Sequence, residues 1–137
     1  MVTHLSMGMV EADLRAVGRA IEYYKANNSK YDKNVAAYHI QQAVEKLIKI
    51  QIYAMSDGDF VDRALYTHQI DRLIHFAESN KLECIVPKYI KENSVLISEW
   101  EVSGRYDLHF SVNVKTLEAA LKVTMDWYEE VYKAGCR

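Results

Sequence analysis

Lys33–Ser56 reads KNVAAYHIQQAVEKLIKIQIYAMS, and this stretch decides the architecture. Ala36, Ile40, Ala43, Leu47, Ile50 and Ala54 follow one another at alternating four- and three-residue steps, the spacing of one face of an α-helix. Ala37, Val44, Ile48, Ile52 and Met55 add a second apolar stripe beside the first. A helix apolar over this much of its circumference belongs at the centre of a fold, with neighbours on several sides. Its remaining polar strip carries Tyr38, Gln42, Glu45 and Lys49, flanked by His39 and Lys46.

The flanking sequence supplies those neighbours. Leu14, Val17, Ile21 and Tyr24 mark an amphipathic helix over about 9–27, which Asn27-Asn28-Ser29-Lys30 breaks with turn formers. Asp32 is placed to cap the central helix. After the break Ser56-Asp57-Gly58-Asp59, a third helix carries Tyr66, Ile70, Leu73 and Ala77, with Thr67 as its cap. Pro87 suits the first turn of a fourth helix, where its missing amide has no partner to lose. Ile90, Ile97 and Trp100 form that helix's inner face and Gly104 stands to end it. Residues 105–114 alternate Tyr106, Leu108, Phe110 and Val112, so an extended loop or short strand is expected there. Thr116 then caps a last helix over about 117–134, with Leu117, Leu121, Tyr128 and Val131 facing inward and Gly135 stopping it. The expectation is a single all-α domain spanning 1–137, an antiparallel up-and-down bundle of about five helices.

Composition agrees and removes several function classes. A chain of 137 residues, half of them apolar, can bury roughly two-thirds of its unfolded surface without disulfide staples. One Pro and five Gly leave little material for the turns of an all-β fold. Seventeen Lys and Arg against nineteen Asp and Glu give a net charge of −2, so bulk attraction to nucleic acid or membrane is not implied. Cys84 and Cys136 make no zinc or redox spacing, which suits a reducing cytoplasm. With no apolar run near the ~20 residues of a membrane span, and no signal-peptide core, a cytoplasmic protein without membrane contact is expected.

Most catalytic chemistry fails on spacing. A di-iron bundle needs Glu three residues before His, and no histidine here has one. His68 and His75 share a helix face without further zinc ligands at ligand spacing, and no Gly-rich phosphate loop is present. No metal and no cofactor is expected. What remains is the polar strip, whose plain alternative is a solvated face, and the pair Arg105 and His109. A guanidinium grips phosphate bidentately, and an imidazole exchanges protons near neutral pH. Together they can cleave RNA without metal: His109 takes the ribose 2′-hydroxyl proton and Arg105 stabilises the pentacoordinate phosphate.

The order of these signals resembles the HEPN family, small helical proteins named for higher eukaryotes and prokaryotes nucleotide-binding. The likeness rests on AAYHIQQAVEKLIKIQI (Ala36–Ile52), on THQIDRLI opening the third helix, on SGRY (Ser103–Tyr106) closing the fourth, and on the alanine-containing helix after Thr116. It implies a bundle of four or five helices, usually a homodimer, and often paired with a minimal nucleotidyltransferase in a toxin–antitoxin system. Nuclease members use Arg and, four to six residues on, His, with a polar residue just after the Arg. Here Tyr106 follows Arg105 and only three residues separate it from His109, so the chain is more similar to the nucleotide-binding branch. The resemblance implies a nucleotide or RNA ligand met by Tyr38, Gln42, Lys46, Lys49 and Arg105: the lysines on phosphate, Tyr38 stacked on a base and Gln42 reading its edge. A metal-independent endoribonuclease using Arg105 and His109 is the first alternative, and a structural homodimer without ligand the second. Five lysines against two acids over 23–49 favour the binding module.

Overall fold

The computed structural model describes residues 5–56, 66–106 and 112–136, with 104–106 by backbone alone. Six helices account for the described regular structure: α1 (Met7–Asn27), α2 (Lys30–Ser56), α3 (Ile70–Ser79), α4 (Lys88–Glu92), α5 (Ser94–Tyr106) and α6 (Val114–Lys133). They form an all-α bundle in which α2 touches α1, α3, α5 and α6. Both apolar stripes of α2 explain that position: Ala36, Ala37, Ile40, Ala43, Val44, Leu47, Ile48 and Ile52 are all completely buried. Trp100 from α5 and Trp127 from α6 close the core around it. Among the described residues no helix is long and apolar enough to cross a membrane.

Tight turns set the directions of the helices. Asn28 takes the left-handed conformation (φ 56°, ψ 31°) and its N–H bonds to Tyr24 O at 2.7 Å, so α1 ends and α2 starts two residues later. The pairing of Asp13 with His39 and Lys46, on opposite sides of that turn, shows α1 and α2 antiparallel. Lys25 meets Glu118 while Glu11 meets Tyr128, so α1 and α6 are antiparallel as well. Gln51 anchors the segment between α3 and α4: its side-chain oxygen accepts from Ile85 N at 2.7 Å and its amide donates to Ile85 O at 3.0 Å. The Trp127 indole donates to the same carbonyl at 2.6 Å, tying α2, α6 and this segment at one point.

Several boundaries differ from the expected ones, each for a local reason. The central helix begins at Lys30, which puts Asp32 inside its first turn, where its charge complements the helix dipole, rather than at the cap. Tyr66 and Thr67 lie before α3; the Thr67 hydroxyl accepts from Gln69 N, and the Ile70 amide at the helix start is taken by Ser98 Oγ of α5 at 2.7 Å. The fourth helix is two: the Asn93 side chain and N–H both bond to Tyr89 O, closing α4 before α5 starts. Pro87 stands just ahead of α4 in the cap position, and α5 runs past Gly104 to Tyr106. α6 starts at Val114, capped by Asn113, whose Oδ1 accepts from Lys115 N at 2.7 Å, so Thr116 is inside the helix. Residues 105–106 and 114 are thus helical rather than extended, and 107–111 of the expected extended segment lie outside the described residues. The inward face of α6 includes Leu117 and Val131 as expected, but Ala120, Thr124 and Trp127 fill it where Leu121 and Tyr128 are only half-buried. Gly135, at φ +105°, follows the end of α6 in a conformation that favours glycine.

Candidate functional site

Along α2, every 3.6-residue turn brings polar side chains back to one face, and α1 and the approach to α3 close over that face. Glu45 is its centre. Its carboxylate accepts from Gln41 at 2.9 Å and from His68 Nδ1 at 3.0 Å on one oxygen, and from Lys49 Nζ at 2.7 Å on the other. Gln41, completely buried, donates its second N–H to His68 O and accepts from Gln42 at 2.8 Å. Gln42 in turn accepts from Lys46 at 3.3 Å, and Lys46 reaches across to Asp13 of α1 at 2.7 Å. Asp13 also accepts from His39 Nδ1 at 2.8 Å. One unbroken chain of hydrogen bonds therefore runs from His39 to His68.

Burial makes this network unlike a solvated face. Glu45 and Lys49 are each only 6% exposed, so the plain alternative of a solvated face does not hold for them. Taking a carboxylate out of water raises its pKa, yet hydrogen bonds from Lys49, Gln41 and His68, with the Lys49 charge, outweigh burial and hold Glu45 below the ordinary carboxylate value. Within this network two carboxylates meet two ammoniums, Asp13 with Lys46 and Glu45 with Lys49. An ionised carboxylate only accepts, so His68 Nδ1 carries the hydrogen it shares with Glu45. Its other nitrogen belongs to a side chain that is 58% exposed. The arrangement can present a carboxylate-oriented imidazole to a ligand, as acceptor when neutral and as a second donor when protonated.

The expected site residues fall into three groups. Gln42, Lys46 and Lys49 are brought together, but as members of the internal network, with both ammoniums turned to carboxylates. Tyr38 is half-buried at the edge of the network, its ring edge-on to His39 at 5.2 Å between centroids. Arg105 lies on the last turn of α5, described by backbone alone, and His109 lies outside the described residues. Asp13, Gln41 and His68 are the members that sequence reasoning passed over. A signal for Asp13 was present: it sits three residues after Val10 and four before Val17, on the buried stripe of α1, where a carboxylate needs a partner.

Gln69, the residue after His68, lines a groove of about 400 Å³ between the start of α3 and α5, together with Asp71, Ser98 and Ser103 among others. Among the described residues no three His, Cys, Asp or Glu side chains gather as a metal-ligand set. Set against known proteins, the chain matches no family model, no curated protein and no solved structure.

Proposed function

We propose that this chain is a HEPN-type helical module that binds a nucleotide or RNA, working as a homodimer and as one component of a nucleotidyltransferase-associated toxin–antitoxin pair in the cytoplasm. The ligand is held where the α2 network surfaces at His68, next to the groove between α3 and α5. The observation that carries this reading is an imidazole gripped by a buried Glu45–Lys49 pair while more than half of it stays in solvent. Buried ion pairs contribute little to net stability, since desolvation offsets their attraction, and ionisable groups held this way are more frequent at functional sites.

In this reading the lysines change role. Lys46 and Lys49 neutralise Asp13 and Glu45, and phosphate falls to His68 in its protonated form and to Arg105 at the end of α5. Tyr38 supplies an aromatic face for a base at the His39 end. The test is fluorescence anisotropy with a 5′-labelled RNA oligonucleotide, and equilibrium dialysis with labelled ATP. His68→Ala and Arg105→Ala should each weaken binding of one of these ligands at least tenfold with little change in melting temperature. Wild-type protein that binds neither ligand would leave the α2 network as a purely structural element of a homodimer.

A further inference from the structure

Between α1 and α6 lies a second surface, none of whose lining residues belongs to the proposed ligand site. Gly18 stands in the middle of α1, where glycine weakens a helix more than any residue except proline. A Cβ built there meets nothing within 4 Å among the described residues, so no packing between them calls for a glycine. The space above it is a groove between α1 and α6, made of two adjoining hollows of about 430 and 410 Å³ that share Gly18, Leu121 and Met125. Met125 is half exposed on its floor, a flexible side chain suited to packing against an incoming apolar group.

The rim is acidic. Among the described residues five carboxylates line the two hollows against two cations; both cations are paired within their own helices, Arg15 with Glu11 and Lys122 with Asp126, and Glu118 is paired with Lys25 of α1. Glu22 and Glu129 make no ion pair among the described residues. A second copy placed face to face on this groove would set acid against acid. The groove instead complements a segment of opposite charge. Three turns of α1, from Glu11 to Glu22, offer a length that apolar anchors at i, i+4 and i+7 of a helix can follow, and Gly18 admits close approach of its backbone.

We infer that the α1–α6 groove docks a basic amphipathic helix of a partner protein, its apolar face over Gly18, Leu121 and Met125 and its lysines or arginines on Glu22 and Glu129. This inference stands apart from the nucleotide or RNA site. The test titrates a fluorescein-labelled 18-residue helical peptide, with leucines at i, i+4 and i+7 and flanking lysines, into the full chain, beside a twin whose lysines are replaced by glutamates. Gly18→Leu fills the groove while improving helix propensity, so it should keep or raise the melting temperature and weaken the lysine peptide at least tenfold. Glu22→Lys with Glu129→Lys should weaken the lysine peptide by a similar factor and strengthen the glutamate twin. Equal binding of both peptides to the wild type, or full binding of the lysine peptide by folded Gly18→Leu, would overturn the inference. So would a halving of solution mass in Gly18→Leu, which would make the groove a face between copies of this chain.

Discussion

Lys49 and Glu45 illustrate how one buried pair couples stability to chemistry. Removing the ammonium alone leaves a carboxylate 6% exposed whose remaining partners among the described residues are Gln41 and His68. Lys49→Met should therefore destabilise the fold by about 3 kcal/mol, since breaking one half of a buried pair costs far more than replacing both. Urea unfolding checks this, and a loss under ~1 kcal/mol would mean that the carboxylate finds other partners. The same residue sets an acid limit. Glu45 titrates below its ordinary value of 4.5 when folded, so it binds a proton more readily unfolded. Its contribution is complete above that ordinary value and disappears as pH falls through the lower, folded one. Glu45→Gln has no such proton to take up, so the stability gap between wild type and variant should shrink from about pH 5 to pH 3. A gap that stays constant over that range would remove Glu45 from the acid transition.

At the scale of elements, the ends of the helices depend on partners that local sequence disguises. α6 begins earlier than Thr116, the expected cap: Asn113 accepts the Lys115 amide, while Thr116 lies within the first turn. Asn113→Ala should cost about 1 kcal/mol and Thr116→Ala less than ~0.5, read as shifts in melting temperature. The reverse order would restore the helix start expected from sequence. α3 has a different solution, since the hydroxyl at its first amide comes from Ser98 on α5, 28 residues away. Short-range rules for caps cannot find a donor or acceptor supplied by another helix.

For the molecule as a whole, the distribution of exposed apolar side chains bears on assembly. Tyr66 is 78% exposed, and Val95 and Val102, which line the groove between α3 and α5, are more than half exposed. Amphipathic aromatic and apolar surface of this kind is favoured where proteins meet. The homodimer proposed above should give a light-scattering mass near twice 15.9 kDa at micromolar concentration, and a mass near 15.9 kDa would reject it. Metal-free RNA cleavage compared between wild type and His109→Ala separates the binding module from the ribonuclease alternative: equal background cleavage is expected, and loss of a robust activity in the variant would reverse the preference.

The sequence by itself determined the central helix and the all-α class, because apolar residues at helical steps declare their own periodicity within a few turns: Ala36, Ile40, Ala43 and Leu47 of the first stripe are buried and Ile50 is half-buried, while Ala54 near the end of α2 is exposed. It also marked Tyr38, Gln42, Glu45 and Lys49 as one polar strip, with His39 and Lys46 beside it. Which of those side chains face solvent was decided only by the tertiary structure. Asp13 pairs with Lys46 across 33 residues, and His68 reaches Glu45 across 23. A carboxylate arriving from another helix turns an apparent surface lysine into an internal counter-charge, and it does so through space, where no periodicity along the chain records it.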